Sequence, residues 1–182
     1  MDTLSRPALE VITGPMFSGK SDELIRRLTL CKIANLGVIV IKPERDTRCE
    51  NVSSRNGRMM DAVTVSSTDE ILALVEETHQ VIGIDEIQFF DSGLVSVVLH
   101  LVRAGKHVVV SGLNLDFKEE PFENTMRLMA LSSSVTVLKA VCDTCRSFEA
   151  VRSQRLVETS DRILVGDKQY GPRCLSCYVP SL

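Results

Sequence analysis

Three groups of residues in this 182-residue chain have types and spacings that could do chemistry. Gly14, Pro15, Met16, Phe17, Ser18, Gly19, Lys20 and Ser21 fill every fixed position of G-x-x-x-x-G-K-[ST]. In such a loop, backbone N–H groups and the dipole of a following helix face an anion. Lys20 would reach the β- and γ-phosphates of a nucleoside triphosphate, and the Ser21 hydroxyl would ligate Mg²⁺. The second group is Asp85-Glu86, closing the apolar run Val81-Ile82-Gly83-Ile84. An Asp in that place holds Mg²⁺ in phosphate-loop enzymes. Glu86, one residue on, could take the proton of an attacking hydroxyl or position a water. The third group is Cys142, Cys145, Cys174 and Cys177, two C-x₂-C pairs separated by 28 residues. Four thiolates make a closed tetrahedral zinc site, structural rather than catalytic.

These residues need elements to position them. Leu9 to Thr13 reads as a short buried strand and Asp22 to Leu36 as a helix, which places the glycine loop between a strand and a helix N-terminus. Leu36 to Lys42 is a continuous apolar run, a buried parallel strand. Pro43 to Gly57 reads as a long polar loop, of the kind that is commonly functional. Thr68-Asp69-Glu70 opens a helix. Val81 to Asp85 predicts a strand, Gly93 to Arg103 a helix, and Lys106 to Gly112 and Val135 to Val141 two further strands. Alternation of helix and strand from residue 9 to about 141 predicts an α/β domain with a mostly parallel sheet. Ligands then collect at the carboxyl ends of the strands, so Asp85 and the loop at 14–21 should be neighbours. From Cys142 the character changes to short stretches and paired cysteines, predicting units at 1–141 and 142–182.

Net charge is −3 and the pI about 5.7, which argues against a partner held by nucleic-acid phosphates. No apolar run approaches a membrane span, and the N-terminus has no cationic segment followed by an apolar core. The expectation is a cytoplasmic, reduced protein in which cysteines are thiols or metal ligands.

Taken together, Gly-Pro-Met-Phe-Ser-Gly-Lys-Ser at 14–21, Ile-Asp-Glu-Ile-Gln-Phe-Phe at 84–90, Asp-Phe with Pro-Phe across 116–122, and the two cysteine pairs resemble the cytosolic (type II) thymidine kinases. The resemblance runs from about residue 9 to 178. It implies a phosphate-loop, mostly parallel sheet with helices on both faces and a small C-terminal zinc-binding lasso. It implies transfer of the γ-phosphate of ATP to the 5′-hydroxyl of thymidine, for DNA-precursor salvage. Residues 14–21, Asp46, Arg48, Asp85 and Gln88 would face the phosphates or their metal, and Glu86 would be the general base. Phe117 would pack beside thymine, with Leu113 and Met16 shaping the pocket. The lasso would span roughly Phe148 to Arg173. Its main chain at Asp161, Arg162, Ile163, Leu164 and Val165 would bind the base, and Tyr170 would match the family's tyrosine. The family is typically tetrameric. Two positions depart from its pattern: Val165-Gly166 stands where Gly-Gly is usual, and Asn114 where an acid is common.

A rival on residue chemistry alone is a nucleic-acid-stimulated ATPase whose zinc module grips DNA. Between 142 and 177, however, six cationic residues face five acidic ones, a poor footprint for DNA. Phe89 and Phe90 read as core, Cys31 as core packing on the first helix, and His79, His100 and His107 as non-functional.

Overall fold

The computed structural model describes residues 7–46, 51–53, 57–157, 166 and 168–180. Six strands form one sheet: β1 (Ala8–Gly14), β2 (Val38–Pro43), β5 (Val63–Val65), β6 (Val81–Ile84), β7 (His107–Leu113) and β8 (Ser134–Val137). Their order is β5-β2-β6-β7-β1-β8, and every pairing is parallel. Parallel neighbours need crossovers, and these are supplied by α1 (Lys20–Ile33), α2 (Asp69–Leu74), α3 (Leu94–Arg103) and α4 (Glu123–Leu131).

The strands are apolar on both faces because helices cover both. Val11, Ile41, Ile82, Ile84, Val108 and Val110 pack with Ile71, Leu94, Val98, Leu101 and Leu128 of α2, α3 and α4. The alternate positions Ile12, Val40, Val81 and Val109 pack with Leu24, Ile25 and Leu28 of α1. Gly83 lies on the α1 side, and a Cβ there would sit 2.4 Å from Leu28 Cδ1, so the close approach of helix to sheet needs a bare backbone.

Local chemistry sets the limits of α1. It starts after Gly19, whose φ of 83° suits glycine, and carries Asp22 and Glu23 in its first turn and Lys32 in its last. It stops at Ile33 rather than Leu36 because Asn35 turns left-handed at φ 58° and the Ala34 and Asn35 N–H groups close back on Leu30 and Lys32 carbonyls. β8 stops at Val137, short of Val141, because β1 turns away after Gly14 and its last bond is to Leu138, and Ala140 pairs with Ala150 instead.

The stretch expected as one polar loop is partly ordered pairing. β3 (Val52–Ser53) pairs antiparallel with β4 (Met59–Met60), burying Val52 and Met60 against the α1 core. α4 falls where the sequence suggests no element. It buries only Asn124, Thr125 and Leu128, so its apolar periodicity is thin, and Asn124 is spent on the carbonyls of Ile87, Phe90 and Asp91. Past residue 141, β9 (Arg152–Arg155) and β10 (Tyr170–Arg173) form an antiparallel ribbon beside a small core of Ala140, Cys142, Ala150 and Cys174. Phe90 packs on the main core as expected, and Cys31 lies partly buried against the α1 core. No helix among the described residues is long and apolar enough to cross a membrane.

Candidate active site

The site lies at the carboxyl ends of β1, β7 and β6, which stand side by side in that order. β1 delivers Gly14 into the loop, opposite Leu113 at the end of β7. Within the loop, Phe17 takes a left-handed φ of 67°. Ser18 Oγ donates to Pro15 O at 2.9 Å, and Lys20 Nζ donates to the same carbonyl at 2.7 Å. Lys20 is buried. A shallow cavity of about 300 Å³ adjoins the loop, lined by Ser18, Gly19, Asp22, Glu23, Arg26 and Arg58 among others.

Asp85 follows the last residue of β6, and β7 lies between it and the glycine loop. Ser21 Oγ crosses that gap and donates to Asp85 Oδ2 at 3.0 Å. Ser111, on the intervening strand, donates to Asp85 Oδ1, and Glu86 N–H donates to the same oxygen at 3.0 Å. Burial pushes the Asp85 carboxyl up to about 6, and the neighbouring charge of Glu86 adds to the rise. The hydroxyl bonds pull the other way without cancelling it.

Glu86 is buried and left-handed at φ 51°, uncommon for a side-chain-bearing residue. A relay holds it: Leu113 N–H donates to Gln88 Oε1 at 3.0 Å, and Gln88 Nε2 donates to Glu86 Oε2. Gly112 makes room for the relay, since a Cβ there would meet Gln88 Oε1 at 2.7 Å. Asp46 is also buried, and its Oδ2 lies 3.0 Å from Nζ of Lys42, itself fully buried at the end of β2. Register places Lys42 one step beyond the Ile41–Ile84 pair, beside Asp85.

After β7, the segment 113–122 closes into a tight loop. Asp116 Oδ1 accepts the N–H groups of Lys118 and Glu120, and Leu115 bridges to Pro121. Phe117 is buried in it. The Arg155 guanidinium lies 3.6 Å from the Phe117 ring centroid and donates from Nη2 to the Tyr170 hydroxyl at 2.7 Å. Ser153 Oγ accepts the Met16 N–H at 2.9 Å. Met16, Phe117 and Tyr170, far apart in sequence, therefore meet around β9.

The sulfurs of Cys142, Cys145, Cys174 and Cys177 all lie within 4.8 Å of one another. A zinc ion with four Zn–S bonds of about 2.3 Å needs tetrahedral S–S edges of about 3.8 Å. The Cys145–Cys174 separation of 3.6 Å already meets that, so the four thiols fit the ion. Their proton affinities split as a crowded set must. Backbone N–H groups, that of Cys145 foremost, pull Cys142 down to about 6, while contact with Cys174 and Cys145 pushes Cys177 up to about 12.

A family model described as thymidine kinase matches residues 7–178. The chain belongs to the thymidine kinase family. Membership gives it thymidine kinase function at the level of the family and makes it a kinase-type transferase. Among solved structures, the cytoplasmic domain of the Thermomonospora curvata Type VII secretion ATPase EccC is similar, at 12% identity and a TM-score of 0.47. That match covers 100% of this chain, which spans 25% of the other.

Of the residues singled out by sequence, the structure brings together 14–21, Asp85, Glu86, Gln88 and Leu113 on one side, and Met16, Phe117 and Tyr170 on the other. Arg48 and the segment Asp161, Arg162, Ile163, Leu164 and Val165 lie outside the described residues. Sequence reading missed Lys42, Ser111, Ser153 and Arg155. Lys42 and Ser111 carried a signal, since a polar residue ending an apolar run on a strand points at the ligand edge. Ser153 and Arg155 carried none. His107 is not idle: its Nε2 lies 3.2 Å from Glu10, which also meets Arg27, at the far end of β1 and β7 from the site.

Proposed function

We propose that the chain transfers the γ-phosphoryl group of ATP to the 5′-hydroxyl of thymidine, giving the monophosphate and ADP. One observation carries this reading: the Ser21–Asp85 bond brings the glycine loop against a carboxylate pair whose second member, Glu86, is held by its own relay. Phosphoryl transfer asks little covalent help of a protein, so positioning and charge do the work. Backbone N–H groups of residues 15–20 and the start of α1 bind the phosphates, with Lys20 turning from Pro15 O to the terminal oxygens.

Ser21 and Asp85 are the residues to hold Mg²⁺. Two oxygens on adjacent vertices of an octahedron with metal–oxygen bonds of about 2.1 Å lie about 3 Å apart, and Ser21 Oγ and Asp85 Oδ2 are 3.0 Å apart. Bound there, the ion would neutralise charge on the β- and γ-phosphates. Glu86 accepts the proton of the 5′-hydroxyl as its oxygen bonds to the γ-phosphorus and the bond to the ADP oxygen breaks. Gln88 keeps the carboxylate aimed. Phe117, Leu113, Met16 and Tyr170 enclose the thymine and Asp46 serves the phosphate side; roles for Arg48 at the phosphates and for main chain at 161–165 at the base rest on the family resemblance alone.

In this reading residues 1–141 are the ATP-binding unit and 142–182 a zinc-tied lasso. The chain works as a cytoplasmic homotetramer in nucleotide salvage, without nucleic acid. The test is Glu86→Gln. Thymidine-dependent ADP release should fall by about 10²–10⁴-fold, the usual worth of a general base, while ATP binding persists. Full turnover by the variant would remove Glu86 from the mechanism. Stimulation by single-stranded DNA and not by thymidine would remove the kinase reading itself.

A further inference from the structure

Each residue of β9 reaches a different partner. Arg152 pairs with Glu119, Ser153 accepts from Met16, and Arg155 lies on Phe117. Gln154 exchanges two hydrogen bonds with Val179, at 2.9 and 2.8 Å. That exchange pins the chain just past the second cysteine pair. Between Cys177 and Val179 stands Tyr178, whose N–H donates to Cys174 O at 3.0 Å. With its backbone held on both sides, Tyr178 sends its phenol out of the cysteine module to the loop at 113–122, where it donates to Phe117 O. The loop's internal bonds close around Asp116. The phenol, 61 residues from Phe117 in sequence, joins that loop at Phe117 itself to the four-cysteine cluster.

We propose that Tyr178 is a positioning residue for nucleoside binding. Its phenol, fixed by the cysteine module, sets the backbone of Phe117 and through it the aromatic ring that faces the base. Tyr178 does not touch the substrate; it acts through Phe117. This rests on the reading above, in which Phe117 packs beside thymine. A ring held in place before the nucleoside arrives costs less to order on binding, so the effect should appear in nucleoside affinity and not in the phosphate steps.

The experiment is Tyr178→Phe in the full zinc-loaded chain, assayed beside wild type. The change deletes one oxygen and keeps the ring. Loss of one hydrogen bond should raise the thymidine KM about threefold to tenfold. kcat and the ATP KM should hold within about twofold, since the bond bears on neither, and zinc content should be unchanged. An unaltered thymidine KM, or an equal rise in the ATP KM, overturns the proposal. A second measurement separates positioning from general loosening. Phe117→Leu combined with Tyr178→Phe should raise the thymidine KM no further than Phe117→Leu alone, because both changes act through one ring; multiplying effects overturn it. If wild type shows no thymidine-dependent ADP release, the functional reading fails and this one falls with it. If wild type is active and the variant indistinguishable, only the role of Tyr178 fails.

Discussion

On the phosphate side of the cleft, Ser21, Asp85, Ser111 and Glu86 project from a helix start and two neighbouring strand ends, and their bonds are short-range consequences of sheet register. On the side assigned to the nucleoside, Phe117 sits in a loop contacted by Arg152, Arg155 and Tyr178 of the cysteine module. The first side is carried by the main core of the α/β sheet. The second is carried by a small ribbon and four thiols, with Ala140 and Ala150 for a core. So small an apolar cluster cannot order a module without a staple. In the proposed reading, chemistry is placed where the fold is stiff, and recognition where it is tethered.

The sharpest way to break this contrast is to strike each side separately. Lys20→Met should lower kcat/KM for ATP by about 10²–10³-fold, the usual cost of one preorganised charge at a developing oxyanion. Thymidine affinity, measured by calorimetry without ATP, should be unchanged. Removing zinc with a chelator should do the reverse. If the ribbon and lasso then hold their binding form only about a tenth of the time, thymidine affinity falls about tenfold. ATP affinity should stay near its starting value because α1 and the sheet do not depend on the metal. Equal loss of both ligands on chelation would show one cooperative unit and end the comparison.

The same division decided what could be read from sequence. The glycine loop, Asp85 and Glu86 were legible because register in a parallel sheet turns a sequence motif into a spatial one. Gly14 pairs with Leu113 and Ile84 with Val110, so three strand ends must converge. The cysteines were legible by spacing alone. Arg155 was not: an arginine between Gln154 and Leu156 has no signature, and its place on Phe117 follows from a ribbon that only the long-range fold defines. α4 was missed for a related reason. Its buried face carries a single large apolar side chain, Leu128, with Asn124 spent on carbonyls of the segment 87–91.

A smaller effect probes the recognition side alone. Arg155→Met keeps an apolar cover over Phe117 but removes the cation and its bond to Tyr170. A desolvated cation–π contact and one hydrogen bond together amount to about 2 kcal/mol. For a chain of this size that lowers Tm by about 4–8 °C. Scanning calorimetry at neutral pH checks it, and a Tm within 1 °C of wild type, the precision assumed for such a comparison, would show that the stack carries no weight.

The last test turns on a sign. Burial and Glu86 raise the folded Asp85 carboxyl from its ordinary 3.8 to about 6. Between those values the folded chain binds more protons than the unfolded one, so this group's contribution to stability falls as pH rises from about 4 through about 6. Above that range Asp85 is a buried anion beside a second carboxylate, and ligand-free protein bears the cost. Asp85→Asn removes the charge and keeps one acceptor, for the Ser111 hydroxyl and the Glu86 N–H, while its amide NH₂ donates to the Ser21 oxygen. At pH 8, without nucleotide or Mg²⁺, the variant should therefore be more stable than wild type, by at most about 3 kcal/mol for a rise from 3.8 to about 6, although its turnover is abolished. The advantage should shrink as pH falls through about 6 and vanish below about pH 3, where the wild-type carboxyl is protonated in both states. Melting curves of the two proteins across that range read it directly. A variant less stable than wild type at pH 8 would mean that the carboxylate is held by its hydrogen bonds at no cost, and that the phosphate side stores no strain for its ligand to relieve.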